Sequence, residues 1–182
     1  MEKYRFLMSG SGGQGVITMA IILAEAAALH EGCNAIQSQS YGPEARGGAT
    51  RSDVIVSDGP IYYPKVDQPN YLVALTNAAM SKYLPLIRPG GMCLYDSDLV
   101  QSDLRVDACR KALPMYQAVL DTFGKPQVFN VVVLGALATL TRVVALESLE
   151  KVLESRFSKA HHENNRKALH LGADMARPLA DN

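Results

Sequence analysis

The chain has 182 residues, a length that suits one domain with a buried core, and we predict that residues 1–182 form that single domain. Its 18 lysines and arginines balance 18 aspartates and glutamates, so the formal net charge is zero and nothing electrostatic favours a nucleic acid or an anionic membrane as a partner. A neutral chain has little self-repulsion, which fits a subunit of a complex.

The three cysteines, Cys33, Cys93 and Cys109, are too far apart for a C-x-x-C metal site and odd in number, which argues against a disulfide framework. Each lies in or near an apolar run, so we predict that they are buried small side chains. We therefore expect this chain to hold neither zinc nor an iron–sulfur cluster through its own thiolates.

The sequence begins with a predicted strand, a glycine-rich turn and a helix. An apolar run over residues 4–8 predicts the strand, and an Ala-rich run that Gly32 closes predicts a helix over about Gln14–Glu31. The glycines between them match the G-x-G-x-x-G spacing, which lets a ligand or another chain approach the backbone beside a helix N-terminus that can hold an anion. The candidate cofactor-binding residues are Gly10, Gly12, Gly13, Gln14 and Gly15.

Two other interpretations of this turn bear on its function. A tight strand-to-helix turn with only a packing role has the same spacing, and this alternative stays open. An NAD site is disfavoured, because the second predicted strand, about Cys33–Gln37, ends in Gln37 and Ser38 instead of the carboxylate that binds a ribose. A right-handed crossover makes the first two strands parallel neighbours or near neighbours, so the loops after both leave the same carboxyl edge of the sheet.

The second informative loop reads QSYGPEARGG over residues 39–48. Gly-Pro and Gly-Gly are typical of loops, and between them lie an acid and a single arginine. A solvated surface loop has the same composition, but this loop leaves the sheet beside the glycine-rich turn. We therefore predict a loop at an interface or near an active site, with the candidate residues Tyr41, Gly42, Pro43, Glu44, Arg46, Gly47 and Gly48.

A hairpin is the next predicted feature. It comprises a strand over residues 51–57, a tight turn at Asp58 and Gly59, and a return strand over residues 61–63. Because prolines flank the return strand, we predict that it lies at an edge or is short.

A strand–helix–strand unit follows and predicts another parallel pair. Its strands are about Tyr71–Leu75 and residues 92–95, and Asn77 is the predicted N-cap of the helix between them. Asp96 and Asp98 follow the second strand. Two acids in a turn are more often turn formers than magnesium ligands, so we predict no metal here.

The remainder of the chain predicts helices. Three consecutive valines after Asn130 favour a strand, so strand and helix both stay open there. The longest uncharged apolar stretch, Val128–Thr141, is too short to span a bilayer, and no secretory signal is recognisable, so we expect a soluble cytoplasmic protein. The predicted helices are about Pro114–Phe123, one that Asn130 caps, Glu147–Phe157 and Glu163–Met175, with His161 and His162 as surface residues.

Together these elements predict an α/β fold, a single Rossmann-like domain of three layers whose mostly parallel sheet includes a β-hairpin. The sequence contains no Ser-His-Asp or Cys-His arrangement, no H-E-x-x-H motif and no P-loop lysine. We therefore predict no catalytic residue and no metal ligand in this chain.

The two glycine-rich segments together, residues 10–16 and 39–48, resemble the gamma subunit of 2-oxoacid:ferredoxin oxidoreductases. The form of the second segment resembles the 2-oxoglutarate branch of that family. The similarity covers nearly the whole chain and continues through Ser57 to Pro64, Gly90 and Gly91, Asn130 with Leu134 to Ala136, and Glu163 to Gly172.

The resemblance implies a complex that converts a 2-oxoacid, most simply 2-oxoglutarate, with coenzyme A and oxidised ferredoxin into acyl-CoA, CO2 and reduced ferredoxin. It implies alpha, beta and, in some complexes, ferredoxin-like delta partner subunits, which hold thiamine diphosphate, Mg and iron–sulfur clusters. No cofactor is assigned to this chain alone, which is an accessory subunit. Two alternatives stay open, a free-standing nucleotide- or flavin-binding enzyme and a purely structural subunit.

Overall fold

The computed structural model describes residues 3–40 and 50–180 of the chain. Within these ranges it contains six strands, which are β1 (Lys3–Gly10), β2 (Asn34–Ser40), β3 (Thr50–Ser57), β4 (Tyr71–Ala74), β5 (Gly91–Asp96) and β6 (Ala108–Leu113). They form one sheet in the order β2-β3-β1-β4-β5-β6. Because β3 is the one strand of this sheet that runs opposite to the other five, the mostly parallel α/β sheet is confirmed.

Helices pack against both faces of the sheet and give three layers. The α-helices of the described residues are α1 (Val16–His30), α2 (Asn77–Tyr83), α3 (Met115–Phe123), α4 (Phe129–Thr141), α5 (Leu146–Arg156) and α6 (Lys159–Ala180). One face carries α1 and α3 to α6, and the other carries α2 with a short 3₁₀ helix, Leu84–Leu86. Successive side chains of β1 point to opposite faces of the sheet. Phe6 and Met8 belong to the core on the face of α1, and Leu7 belongs to the core on the face of α2.

The register of β3 explains which ends of the strands meet. β3 lies between β1 and β2 and pairs antiparallel with both, so β1 and β2 are parallel near neighbours, as the sequence predicts. Gly10, the last residue of β1, is opposite Thr50, and Ser40, the last residue of β2, is opposite Arg51. The loops after β1 and β2 therefore leave the same edge of the sheet.

The predicted return strand over residues 61–63 is wrong, because that segment contains no strand. Pro60 and Pro64 on either side donate no backbone N–H, and Tyr62 is 88% exposed and lies away from the sheet. The hairpin of this fold is instead the pair β2 and β3.

Three smaller predictions also differ from the structure. Thr76, not Asn77, caps α2, because its Oγ1 accepts the Ala79 N–H at 3.1 Å. The sequence does not predict the strand β6, because the charged residues at positions 110 and 111 interrupt its apolar pattern. Of the three cysteines, Cys93 is buried, and burial raises the pKa of its thiol to about 12, but Cys33 is half-buried and Cys109 is exposed.

The two alternatives for the segment after Asn130 resolve in favour of a helix. The predicted N-cap is wrong, because Val128 is the N-cap of α4 and Asn130 lies in its first turn. Nearly all of α4 is buried, and it packs on α6 through two glycines. A Cβ at Gly135 would overlap the Leu169 carbonyl oxygen of α6, and a Cβ at Gly172 would overlap that of Val132. The two helix backbones therefore lie in direct contact, which fixes α6 beside the N-terminal half of α4.

Candidate functional site

The glycine-rich turn lies at the carboxyl edge of the sheet, between β1 and α1. Gly13 and Gly15 have φ values of +88° and +71°, a region that residues with side chains rarely adopt. Gly15 is also the N-cap of α1, and a Cβ there would lie 2.6 Å from Nδ2 of Asn130 on α4. The turn therefore needs glycine at position 15 both for its backbone angle and for its contact with α4.

Gln14 holds the turn in place from inside the chain. Its Oε1 accepts the Ser11 N–H at 2.7 Å, and its Nε2 donates to the Leu75 carbonyl oxygen, just beyond β4, at 3.2 Å. A Cβ at Gly10 would overlap this Oε1. Gln14 thus makes its amide hydrogen bonds to the protein itself, so it positions the turn, and Gly10 leaves room for it.

Gly12 differs from the other glycines of the turn. It is exposed, its φ is not positive, and a Cβ there would meet no atom within 4 Å. Nothing in the fold of the described residues requires a glycine at this position. The absence of a side chain matters only for a molecule that approaches the turn from outside.

Tyr41, Gly42, Pro43, Glu44, Arg46, Gly47 and Gly48 lie outside the described residues, so the second candidate loop stays a prediction. The described chain that follows it is anchored through Arg51. Arg51 forms a 2.7 Å ion pair with Asp53, donates to the Val66 carbonyl oxygen at 2.6 Å, and lies 5.4 Å from the centre of the Tyr83 ring. Burial raises the pKa of Asp53 and Arg51 opposes that shift, so the ion pair is half-enclosed on the α2 face of the sheet.

A cleft of about 260 Å³ opens beside the turn on the other face of the sheet. It lies between the start of α1, the start of α4 and the buried residue Asn165 of α6. Sequence reasoning missed Asn165, since no local motif connects this residue with the turn. The lining residues are Gly13, Gln14, Gly15, Thr18, Pro126, Gln127, Asn130, Val131, Phe157 and Asn165.

Asp96, the last residue of β5, forms a turn with Asp98, as predicted. Asp96 accepts the backbone N–H groups of Asp98, Leu99 and Tyr116, at 2.9, 3.1 and 2.6 Å. Burial raises the pKa of the Asp96 carboxyl, and these three hydrogen bonds oppose the shift. Within residues 3–40 and 50–180, no group of three or more His, Cys, Asp or Glu side chains is placed to hold a metal ion. None of the described helices has the length and apolar character needed to cross a membrane.

The family follows from comparison with known proteins. Residues 5–175 match the model of the pyruvate ferredoxin/flavodoxin oxidoreductase family. The chain belongs to this family. It is 44% identical to the 2-oxoglutarate synthase subunit KorC of Methanocaldococcus jannaschii over 94% of this chain and 93% of that one, and 41% identical to KorC of Archaeoglobus fulgidus over 93% and 86%.

Solved structures of family members have the same fold. The gamma subunit of a keto/oxoacid ferredoxin oxidoreductase from Geobacter sulfurreducens superposes with a TM-score of 0.87 at 43% identity, over 95% of this chain and 98% of that one. A chain of the 2-oxoglutarate:ferredoxin oxidoreductase from Magnetococcus marinus, solved with 2-oxoglutarate, coenzyme A and succinyl-CoA bound, superposes with a TM-score of 0.88 at 23% identity. The match covers 98% of our chain and 32% of that longer one, so it shows a shared fold for one part of it.

Proposed function

We propose that this chain is the gamma subunit of a 2-oxoglutarate:ferredoxin oxidoreductase. The complex would convert 2-oxoglutarate, coenzyme A and oxidised ferredoxin into succinyl-CoA, CO2 and reduced ferredoxin. The observation that carries the proposal is the 44% identity to a 2-oxoglutarate synthase subunit, which extends over nearly the full length of both chains. By contrast, a ketoisovalerate oxidoreductase subunit is 31% identical and a pyruvate synthase subunit 29% identical.

The division of labour in this proposal assigns the redox chemistry to the other subunits. Thiamine diphosphate with Mg, the iron–sulfur clusters and the contact with ferredoxin belong to alpha, beta and ferredoxin-like delta subunits of a cytoplasmic complex.

In this proposal the carboxyl edge of the sheet is the part of the chain that serves the reaction. The turn from Gly10 to Gly15 contacts coenzyme A or a partner backbone, and the loop around Arg46 packs against the partner subunits near their active site. Both segments follow strands that end at this edge, where ligands bind in open α/β sheets. The exposed Gly12, which no contact within the described fold requires, supports an approach from outside.

The experiment that tests the proposal is purification of the tagged chain from its own host under anaerobic, native conditions. We expect thiamine-diphosphate and iron–sulfur subunits to accompany it, together with dye reduction that depends on coenzyme A and is fastest with 2-oxoglutarate. Faster turnover of pyruvate or of a branched 2-oxoacid would contradict the choice of substrate. A lone chain would contradict the proposal as a whole, and a nucleotide or flavin bound to that chain would favour a free-standing enzyme.

A further inference from the structure

The two outer strands of the sheet, β2 and β6, differ in how they are protected. β3 pairs one-to-one with β2 from Asn34 to Ser40, and no described strand pairs with the outer side of β2. The strand reads NAIQSQS and contains neither a charged residue nor a proline. Folded proteins usually protect an outer strand with charges, proline or a bulge, because its backbone N–H and C=O groups can pair with another strand. β2 is therefore suited to pairing with a strand from outside the described fold.

Two cations protect the other outer strand, β6. Arg110 Nη1 donates to the Ser102 carbonyl oxygen at 3.2 Å, and Lys111 Nζ donates to the Leu179 carbonyl oxygen of α6 at 2.7 Å. These contacts hold charged side chains and neighbouring segments against β6, where an approaching strand would meet them. Among the described residues, β2 has no equivalent protection.

The helix that packs over β2, α1, carries a row of apolar side chains that the core does not enclose. The row follows a spacing of four, three and four residues along α1, which is typical of the seam between two packed helices. Two of its isoleucines are only half-buried, and its last alanine is exposed. The residues of the row are Ile17, Ile21, Ala24 and Ala28.

The surroundings of α1 place this row on the side of the helix towards the outer side of β2. Ala26, on the opposite side of α1 from the row, is fully buried, and α4 and α5 pack against α1. The one carboxylate of α1, Glu25, forms a 2.7 Å ion pair with Arg156 of α5. By contrast, exposed positions of α5 carry charged residues such as Lys151 and Glu154. A helix that is apolar on all sides is typical of one that is covered on all sides.

We propose that β2 and the row on α1 form an interface with a second copy of this chain, in which the two β2 strands pair antiparallel about a two-fold axis at Ile36. A symmetric interface brings each residue near the axis towards its own copy, so an unpaired charge there would meet an equal charge. The uncharged β2 and the paired Glu25 avoid this repulsion, which favours a second copy as the occupant. The inference concerns this chain alone and does not rest on the proposed function.

The geometry of this pair brings apolar groups together on both faces of the joined sheet. On the α2 face, Ile36 lies beside Ile55 of its own chain and opposite Ile36 of the second copy. On the other face, α1 packs over β2 and β3, so its axis lies about one strand spacing, about 5 Å, from the two-fold axis. The two α1 helices are then about 10 Å apart with their rows facing each other, which is an ordinary packing distance for helices.

Sedimentation velocity of the full chain over a range of concentrations tests the proposal, and we expect a concentration-dependent dimer. In Ile36→Lys the dimer dissociation constant should rise about tenfold or more, because two lysines then face each other across the axis. Leu86→Lys is the matched control, since it makes the same change at an exposed side chain outside β2, and it should leave the constant unchanged. A chain that stays monomeric, or equal effects of the two variants, would overturn the proposal.

A charge swap separates the contact at Ile36 from a loss of folding. Ile36→Glu alone should weaken the dimer as Ile36→Lys does, but an equimolar mixture of the two variants should form a mixed dimer, since glutamate then faces lysine. Native mass spectrometry with one variant isotopically labelled identifies the mixed species. A mixture that forms no mixed dimer would contradict the pairing about Ile36.

Hydrogen exchange locates the interface without any substitution. A higher concentration of the chain should slow the exchange of backbone amides in residues 34–38 and leave those of β6 unchanged, because the new pairing protects β2. Slower exchange in β6, or in neither strand, would contradict the proposal. Protection of β2 that appears only when the partner subunits are added would assign β2 to those subunits and overturn a second copy as its occupant. Failure of the proposed function is seen separately, as an absence of partner subunits on purification.

Discussion

The glycines of the turn differ in the physical constraints on them, and these differences predict different consequences of substitution. Gly15 combines a φ of +71° with a close approach to Asn130, whereas Gly12 has neither constraint. The G-x-G-x-x-G spacing identifies these residues together from the sequence. Only the structure separates the glycine that the fold requires from the glycine that is available to a ligand or a partner.

A comparison of Gly12→Val with Gly15→Val tests this separation. Gly15→Val should lower the free energy of unfolding of the isolated chain by about 2 kcal/mol or more, through backbone strain and overlap with Asn130. Gly12→Val should leave it within about 0.5 kcal/mol of the parent, because its side chain enters open space. Urea denaturation measures both.

The same Gly12→Val variant then separates folding from function. We expect the complex that contains it to assemble weakly or to show a raised KM for coenzyme A, since the valine obstructs whatever approaches the turn. Normal assembly together with normal kinetics would contradict a close approach at Gly12 and would leave the turn with a packing role only.

At the scale of elements, Glu31 connects the end of α1 with the start of α5. Its Oε1 accepts the N–H of Ala145, the N-cap residue of α5, at 2.8 Å. The hydrogen bond from the Ser148 side chain and then that from Ala145 hold the pKa of Glu31 below its usual value of 4.5. A carboxyl with a lowered pKa in the folded state stabilises the protein above its unfolded-state pKa, and this stabilisation is lost as the pH falls through the folded-state value.

Glu31→Gln should therefore lower the free energy of unfolding at pH 7 and have less effect in acid. Because Glu31 is partly exposed and solvent screens its charge, we expect a loss of about 0.5 kcal/mol at about pH 7 that fades towards about pH 3. Urea denaturation at the two pH values measures the difference, with the exposed Glu154→Gln as control. A loss of equal size at both values would show that the charge of Glu31 is not what stabilises this contact.

The contact between α4 and α6 predicts a larger effect. Gly172→Ala places a methyl group against the Val132 carbonyl oxygen, so the two helices must separate. We expect the free energy of unfolding to fall by about 3 kcal/mol, although alanine favours a helix more than glycine does. Asn164→Ala, at an exposed position of the same helix, should change it by less than about 0.5 kcal/mol. A stabilised Gly172→Ala variant would mean that helix propensity outweighs the packing between α4 and α6.

The elements that sequence reasoning identified correctly carry local signals. The glycine-rich turn, the stop of α3 at Gly124 and the amphipathic α5 each follow from neighbouring residues. The predictions that were wrong or left open lie where distant contacts decide. The valines of α4 favour a strand locally, and contact with Gly172 of α6 makes them helical, while the partner of β3 is β2 instead of the segment after Pro60. Asn165 joins the cleft only through the packing of α6 on α4.

At the scale of the whole molecule, the two edges of the sheet have different chemistry. The carboxyl edge carries the glycine-rich turn, the cleft beside it and the strand ends at Ser40 and Thr50. The opposite edge carries an open cleft of about 500 Å³ lined by Arg5, Lys65 and Arg88 among others. Both edges bear polar groups, so charge alone does not identify the functional one. The direction of the strands favours the carboxyl edge, since ligands of open α/β sheets bind at the carboxyl ends.

This asymmetry predicts that removal of one arginine impairs the complex at the carboxyl edge and has little effect at the opposite edge. Arg46→Ala, in the loop between Ser40 and Thr50, should lower kcat/KM of the purified complex for coenzyme A about tenfold or more, or reduce the amount of complex, because a charge-assisted hydrogen bond to a partner is lost. Arg88→Ala, an equal loss of charge at the exposed opposite edge, should leave both within about twofold. Steady-state kinetics and native mass measurement of the two complexes distinguish these outcomes. Equal effects of the two variants would mean that the net charge of the chain, and not the carboxyl edge of its sheet, governs its function in the complex.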